Sequence, residues 1–272
     1  MVAFIITISS IFGAALILLL LYLLVFIRPR AKDPKNAKLL CDYAHRGLWG
    51  DGVPENSLEA FELACRNGCG IELDVQLSKD GKVMVFHDYT LVRMTGVDKK
   101  LCELDAEELC TLSLASTEQK IPTFEEVLSL VDGRVPILVE LKGEDLNTAL
   151  CPVVADILRE YDGEYCIESF NPLLIKEMKK LLPDAYRGLL YTNVCRDKKK
   201  KTLLNIVISG MMLNFLARPD FIAYNKFDRN SFFVKITTRF YRAPKFVWTV
   251  KGEVEREEAH RNREYPIFEK NA

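Results

Sequence analysis

The sequence predicts an α/β fold: a closed (β/α)8 barrel with a small insertion, preceded by one N-terminal transmembrane helix. Three observations predict it. Strand-like and helix-like patterns alternate along most of the chain, which implies a parallel sheet with helical crossovers. About eight such strands fit into the roughly 230 residues after position 40, an ordinary length for an α/β barrel. Ahead of them, Val2 to Ile27 is uncharged and mostly apolar. A doubly wound open sheet is the alternative arrangement of the same units.

The apolar element comes first. As a helix rising about 1.5 Å per residue it runs roughly 39 Å, against a hydrocarbon core of about 30 Å. A secretory signal opens with positive charge and closes on small residues. Here the opening carries no Lys or Arg, and the exit reads Arg28-Pro29-Arg30-Ala31-Lys32. Residues 1–28 are therefore expected to form an uncleaved transmembrane anchor, and 29–40 a basic linker. Arg28, Arg30, Lys32, Lys35 and Lys38 follow the helix, opposed only by Asp33. The positive-inside tendency then places the chain in the cell membrane as a single-pass protein, with the domain at 41–272 on the cytoplasmic side.

Strands are predicted at Asp42–His45, Gly70–Gln76, Val83–His87, Pro136–Leu141, Tyr165–Ser169, Ala185–Tyr191, Phe221–Tyr224 and Phe246–Val250. Amphipathic helices are predicted at Leu58–Asn67, Phe124–Val131, Leu146–Tyr161 and Pro172–Leu182, with a polar helix at Glu253–Asn262. Thr123 and Glu126 make a capping box in front of Phe124. The polar segment at about 90–120, with an acidic helix pattern at Asp105–Leu109, reads as an insertion over one end of the barrel. A second apolar stretch, Leu203–Leu216, follows Lys198–Lys201. It is too short to span a bilayer. It is expected either to be a buried barrel helix or to face lipid, its lysines meeting anionic head groups.

The net charge of −1 gives no basic field for nucleic acid. The eight cysteines are scattered through apolar segments without CxxC spacing, which fits buried thiols in a reducing compartment rather than a zinc site.

Chemistry concentrates at strand ends. Of the three histidines, His45 in Tyr43-Ala44-His45-Arg46-Gly47 and His87 in Val85-Phe86-His87-Asp88 sit where barrel enzymes place catalytic groups. Imidazole suits proton transfer near neutral pH. His260 lies in a charged helix and reads as a solvated surface residue. Glu72 and Asp74, two apart on a strand, point to one face, and two carboxylates aimed into a barrel call for a divalent cation between them. Glu140 and Lys142 repeat the spacing. Glu140 completes a three-carboxylate set, and Lys142 is suited to meet a phosphate oxygen. Arg46 suits bidentate phosphate contacts. Glu55 is placed to tie down Arg46 or His45 from behind, while Asn56 or Ser57 caps the next helix.

Together His45-Arg46-Gly47, Pro54-Glu55-Asn56-Ser57, Glu72-Leu73-Asp74-Val75, His87-Asp88, Pro122–Leu128, Glu140-Leu141-Lys142, Ser169-Phe170 and Trp248-Thr249-Val250 closely resemble the signature of the glycerophosphodiester phosphodiesterase family, over about residues 40–251. The resemblance implies a TIM barrel that hydrolyses glycerophosphodiesters to sn-glycerol 3-phosphate and an alcohol with one Mg2+ or Ca2+ ion. It implies that His45 and His87 are the acid and base, that Glu72, Asp74 and Glu140 hold the metal, and that Arg46 and Lys142 bind phosphate. Phe170 and Trp248 would line the substrate pocket. Ser57 stands where the family has threonine, Lys251 where it often has asparagine, and the tail Tyr265–Lys270 lacks the Thr-Asp-containing strand with which the family often ends. The alternatives are a lysophospholipase D acting on lysophospholipids at the membrane, and a non-catalytic membrane-tethered binding protein. A sugar-processing barrel built on paired carboxylates has no need of both histidines, Arg46 and Lys142.

Overall fold

The computed structural model describes residues 2–143 and 146–270. Among these, nine strands form one sheet: β1 Tyr43–Ala44, β2 Gly70–Leu77, β3 Val83–Val85, β4 Ile137–Leu141, β5 Tyr165–Glu168, β6 Tyr186–Tyr191, β7 Phe221–Asn225, β8 Lys245–Lys251 and β9 Tyr265–Glu269. Eight of them run parallel in the order β1-β9-β8-β7-β6-β5-β4-β2, and β1 pairs with β2 to close the barrel.

One predicted barrel strand has a different place. Val83–His87 is not a barrel stave. β3 is antiparallel to β2, with Val75 opposite Val85. The connection from Ser78 to Lys82 is a tight turn closed by Ser78 N–H to Lys82 O at 2.9 Å, far too short for a parallel crossover. The eighth stave is instead β9, from the tail. Because β3 runs back down, Phe86 N–H donates to Asp74 O, and His87 returns to the level of the barrel rim.

After α1, helices fill the connections between the staves. α1 is Val2–Leu21, continued by a π-helical turn at Tyr22–Phe26. α2 (Leu58–Arg66), α3 (Phe124–Val131), α4 (Leu150–Arg159) and α5 (Pro172–Leu181) bury Phe61, Val127, Val154 and Ile175 against the staves. Ser57 caps α2 by accepting from Ala60 N–H, and Thr123 caps α3 from Glu126 N–H with the reciprocal Glu126 bond. The apolar stretch after β6 is not one helix. It divides into α6 (Leu203–Ser209) and α7 (Asn214–Ala217), with a turn beginning at Gly210. It is neither wholly buried nor wholly lipid-facing: Leu203 and Leu204 are exposed, whereas Met211 and Asn214 are buried. α8 (Phe232–Lys235) and α9 (Gly252–Arg261) complete the outer layer. The segment after β3 packs a small core of its own from Phe86, Leu91, Leu101, Leu109 and Leu114.

The amino end of the barrel is sealed. Tyr43, Leu138, Cys166, Tyr186, Phe221, Phe246 and Ile267 form one buried cluster with Leu39 beneath it. Gly188 has no side chain because a β-carbon there would lie 2.0 Å from the Phe221 ring.

Residues 22–40 are packed on the barrel rather than hanging free. Tyr22 Oη donates to Gly210 O (3.0 Å), Asn214 Nδ2 donates to Ile27 O (2.7 Å), and Arg30 N–H donates to Pro219 O (2.8 Å). Ile27 is fully buried, and Lys35 pairs with Asp184 at 2.8 Å.

Candidate active site

β1, β2, β4 and β5 bring the charged residues to the carboxyl end of the barrel. β2 presents Glu72 and Asp74 inward, and the parallel register sets Asp74 beside Glu140 and Glu140 beside Glu168. Ile71, Leu73, Val75, Val139 and Leu141 occupy the other face and join the core against the helices. The alternation of the pleat therefore converts two apolar strands into a carboxylate cluster.

Glu72, Asp74 and Glu140 each offer one oxygen, all within 4.8 Å of one another. Lys142 Nζ sits 2.7 Å from Asp74 Oδ1 and 2.8 Å from Glu140 Oε1. Burial raises Glu72 far above the usual carboxylate range, helped by the charges of Asp74 and Glu140. Burial also pushes Glu140 up to about 7. Burial acts the same way on Asp74, but the Lys142 ammonium, then Arg46, overcome it and hold Asp74 well below that range. Four buried carboxylates (72, 74, 140 and 168) face two cations, Arg46 and Lys142. Burial without a cation drives protons onto Glu72, Glu140 and Glu168, and only with all four ionised would they exceed the two cations by two charges; these oxygen-only donors fit a hard divalent cation.

Arg46 occupies the left-handed region (φ 58°), which turns its backbone N–H onto Glu72 Oε2 at 2.9 Å. Its Nη1 donates to Glu55 Oε1 (2.9 Å) and its Nε lies 3.5 Å from Asp74. Gly47 follows at φ 82°, where a β-carbon would meet Ala60 at 2.8 Å, so only glycine lets this turn lie against α2. Glu55 holds Arg46, not His45, and Arg93 of the insertion as well (2.5 Å).

Both histidines have one ring nitrogen held by a carboxylate. His45 Nδ1 is 2.9 Å from Glu269 Oε1, and its Nε2 is 4.0 Å from Glu72. His87 Nδ1 is 2.6 Å from Asp88 Oδ1. A carboxylate partner favours the proton on Nδ1, which leaves Nε2 facing away from that carboxylate. Burial lowers both imidazoles below their ordinary value, against the Glu269 bond for His45 and the Asp74 charge for His87. Gln76 Nε2 donates to the carbonyls of Phe86, His87 and Asp88, which pins the backbone that carries His87.

His45, Arg46, Glu72, His87, Glu140 and Lys142 line one cavity of about 100 Å3 with Phe170 and Trp248. The two aromatic rings meet edge to face at 5.5 Å, and Trp248 Nε1 donates to Ala223 O. His260 is half exposed and lies 2.9 Å from Asp42, away from this cavity.

Sequence reading missed three participants. Glu168 is buried in the cavity wall, its Oε2 without a hydrogen-bond partner. It has no charged partner two residues away on its own strand, and its place beside Glu140 comes from the sheet register. Glu269 was hidden in the unassigned tail. Asn56 does not cap α2. Its Nδ2 donates to Asp74 Oδ2 at 2.8 Å, and the cap is Ser57 alone.

The chain is similar to a glycerophosphodiester phosphodiesterase of Caldanaerobacter subterraneus, with 36% identity over 159 residues, covering 54% of this chain and 65% of that relative. It thus spans just under two thirds of that relative's length. Among solved structures, a glycerophosphodiester phosphodiesterase from Thermotoga maritima is 27% identical with a TM-score of 0.65, over 85% of this chain and 93% of that one. An Oleispira antarctica phosphodiesterase, solved with the product sn-glycerol-3-phosphate, has the same fold at 22% identity, a TM-score of 0.69 and the same coverage. Residues 45–267, from the first histidine of the cavity to the strand that closes the barrel, match the glycerophosphoryl diester phosphodiesterase family, and the chain belongs to that family.

Proposed function

We propose that this protein hydrolyses glycerophosphodiesters to sn-glycerol 3-phosphate and an alcohol, with His45 and His87 as the acid–base pair and a divalent cation, Mg2+ or Ca2+, held by Glu72, Asp74 and Glu140. The observation that carries the reading is the convergence of two carboxylate-oriented imidazoles, an excess of buried carboxylates and two cations on one cavity. The product named for the Oleispira relative supports the same substrate class.

When bound, the cation would supply positive charge to the phosphate and offset charge that grows in the transition state. Arg46 has Nη2 left to meet a phosphate oxygen beyond its Glu55 contact, and Lys142 presents its charge to the same cavity. One imidazole takes the proton of the attacking hydroxyl at Nε2. The other gives its proton to the alcohol oxygen as the P–O bond breaks. Each such transfer contributes typically 10²–10⁴-fold. Phe170 and Trp248 form an apolar wall beside the leaving alcohol. The complete set of groups favours catalysis over a non-catalytic tethered binding protein.

A second substrate, lysophospholipid, is favoured by Phe170, which is 44% exposed at the cavity and offers an acyl chain an apolar surface. Residues 2–27 are proposed as a retained anchor. A single helix, Ile6–Phe26, is long and apolar enough to cross a membrane among the described residues. Cleavage behind it would strip the buried Ile27 from the core. The basic residues after it favour a cytoplasmic domain.

The test is release of glycerol 3-phosphate from glycerophosphocholine by the full chain in detergent, with Mg2+, Ca2+ or EDTA. Release that depends on the cation supports the reading. No release by folded, cation-loaded protein from either glycerophosphocholine or a lysophospholipid sinks it.

A further inference from the structure

The path of residues 22–30 has a direction. Tyr22 meets Gly210, next to Ser209, whose carbonyl accepts from Tyr191 Oη at the carboxyl end of β6. Ile27 meets Asn214 in α7. Arg30 meets Pro219 and Asp220, immediately before the amino end of β7. The chain therefore descends the outside of the barrel from its mouth to its base, beside the four-residue α7. Traced backwards, α1 leaves the barrel at the mouth end, and its residues from Ile6 to Leu21 are exposed.

A second, independent observation agrees with that direction. Outside the N-terminal helix, large exposed apolar side chains gather on the segments that leave the carboxyl ends of the staves. Leu146, Leu203, Leu204, Phe227, Phe232 and Val254 are each 58–84% exposed. The turns at the amino ends of the staves carry none among the described residues. Phe215 and Phe240 are the exceptions on the lower half, and both lie on the helix seam: Phe215 meets Phe26 edge to face at 5.5 Å, and Phe240 lies beside Tyr241, whose Oη donates to Leu23 O. The exposed Lys198–Lys201 run immediately precedes Leu203 and Leu204. Apolar residues rimmed by lysines suit the boundary between acyl chains and anionic head groups.

We propose that the barrel mouth seats on the bilayer from which α1 emerges, so that the active site opens onto the lipid surface and takes its diester from the interface. The route of entry rests on the phosphodiesterase reading; the orientation does not. The seating follows from the exit point of α1 together with the clustering of apolar side chains at one end. A soluble domain tethered by its base would leave both without a cause.

Full-chain protein is reconstituted into vesicles of phosphatidylcholine and phosphatidylglycerol in which the acyl chains carry bromine. Tryptophan is introduced at Leu204→Trp, Phe232→Trp or, at the base, Glu160→Trp, and each is read against the wild type, whose two tryptophans supply the background. At least a twofold quench of the added signal at 204 and 232, with none at 160, is expected. Quenching at 160 alone, or at none of the three, overturns the orientation. The Leu204→Asp/Phe232→Asp double variant should keep its rate on soluble glycerophosphocholine and lose about tenfold on lysophospholipid carried in vesicles. Equal rates on both substrates would overturn interfacial entry. A wild-type chain inactive on every diester would sink the catalytic reading and leave the quenching result intact.

Discussion

Along β2, β4 and β5 the inward positions change from Gly70, Leu138 and Cys166 at the amino ends to Glu72 and Asp74, Glu140 and Glu168 at the carboxyl ends. On the remaining staves, Tyr43 of β1 (next to β2) and Phe221 and Phe246 of β7 and β8 lie at the base, and His45 and Trp248 at the mouth. One pleat repeat, about 6.6 Å, separates the two sets. The base stacks its rings tightly, with Phe221 and Phe246 centroids 4.4 Å apart. The mouth does the reverse, holding like charges that repel unless a cation joins them. A closed barrel makes this division possible, because the base alone can secure closure while the mouth keeps an unfavourable charge arrangement in place.

If that division holds, variants at the two ends should fail in different measurements. The largest effect is expected at the mouth. His45→Ala or Glu72→Ala should lower kcat about 10³-fold or more, since the proposed mechanism has each of them act on the reacting atoms, directly or through the cation. Circular dichroism and the unfolding midpoint should change little. An unfolded Glu72→Ala protein would mean that the mouth also holds the fold together.

At the base, Phe221→Ala should cost about 3–5 kcal/mol, the transfer and cavity loss of a buried ring, read by guanidinium unfolding in detergent. Gly188→Ala should cost about 1–3 kcal/mol by overpacking, because the new methyl would collide with that same ring. The rate per folded molecule should persist in both. A large fall in kcat at unchanged stability would break the comparison.

Between these extremes stand groups that position the imidazoles. Glu269→Ala should lower kcat by about 10–100-fold with KM little changed, the usual scale for loss of a ligand's orienting partner. Glu269→Gln, which keeps an acceptor oxygen, should recover part of the loss. A wild-type rate in Glu269→Ala would show that His45 needs no orienting carboxylate.

Which of these residues can be read from the sequence follows from the range of the signal. Glu72 with Asp74, and Glu140 with Lys142, declare themselves by spacing within one strand, so the charged face of the barrel is legible in the amino-acid order itself. Glu168 stands alone between Ile167 and Ser169, and its meaning comes from lying beside Glu140 across the sheet, a long-range fact. Val83–His87 has strand composition like its neighbours. Only the short turn after Ser78 separates an antiparallel return from a stave. Pro266 makes Tyr265–Glu269 look unlike an interior strand. It is accommodated where the β8–β9 register shifts between Val247 and Val250.

The smallest expected effect gives the finest test of the comparison. Ser57 and Thr123 are both N-caps, of α2 and α3, and each accepts a backbone N–H at 3.2 Å. Replacing either by alanine should cost about 1 kcal/mol of stability. They differ in what is attached. Ser57 follows Asn56, whose side chain holds Asp74 and whose backbone N–H donates to Arg46 O. Thr123 lies at the start of α3, and its side chain bonds only within that helix's first turn. Ser57→Ala should therefore lower kcat severalfold as well as stability, and Thr123→Ala should lower stability alone. The two unfolding midpoints, measured beside the two rates, separate a cap that supports only its helix from one that also fixes the loop carrying Arg46. Equal rates in both variants would show that the Asn56–Asp74 contact holds that loop without help from the cap.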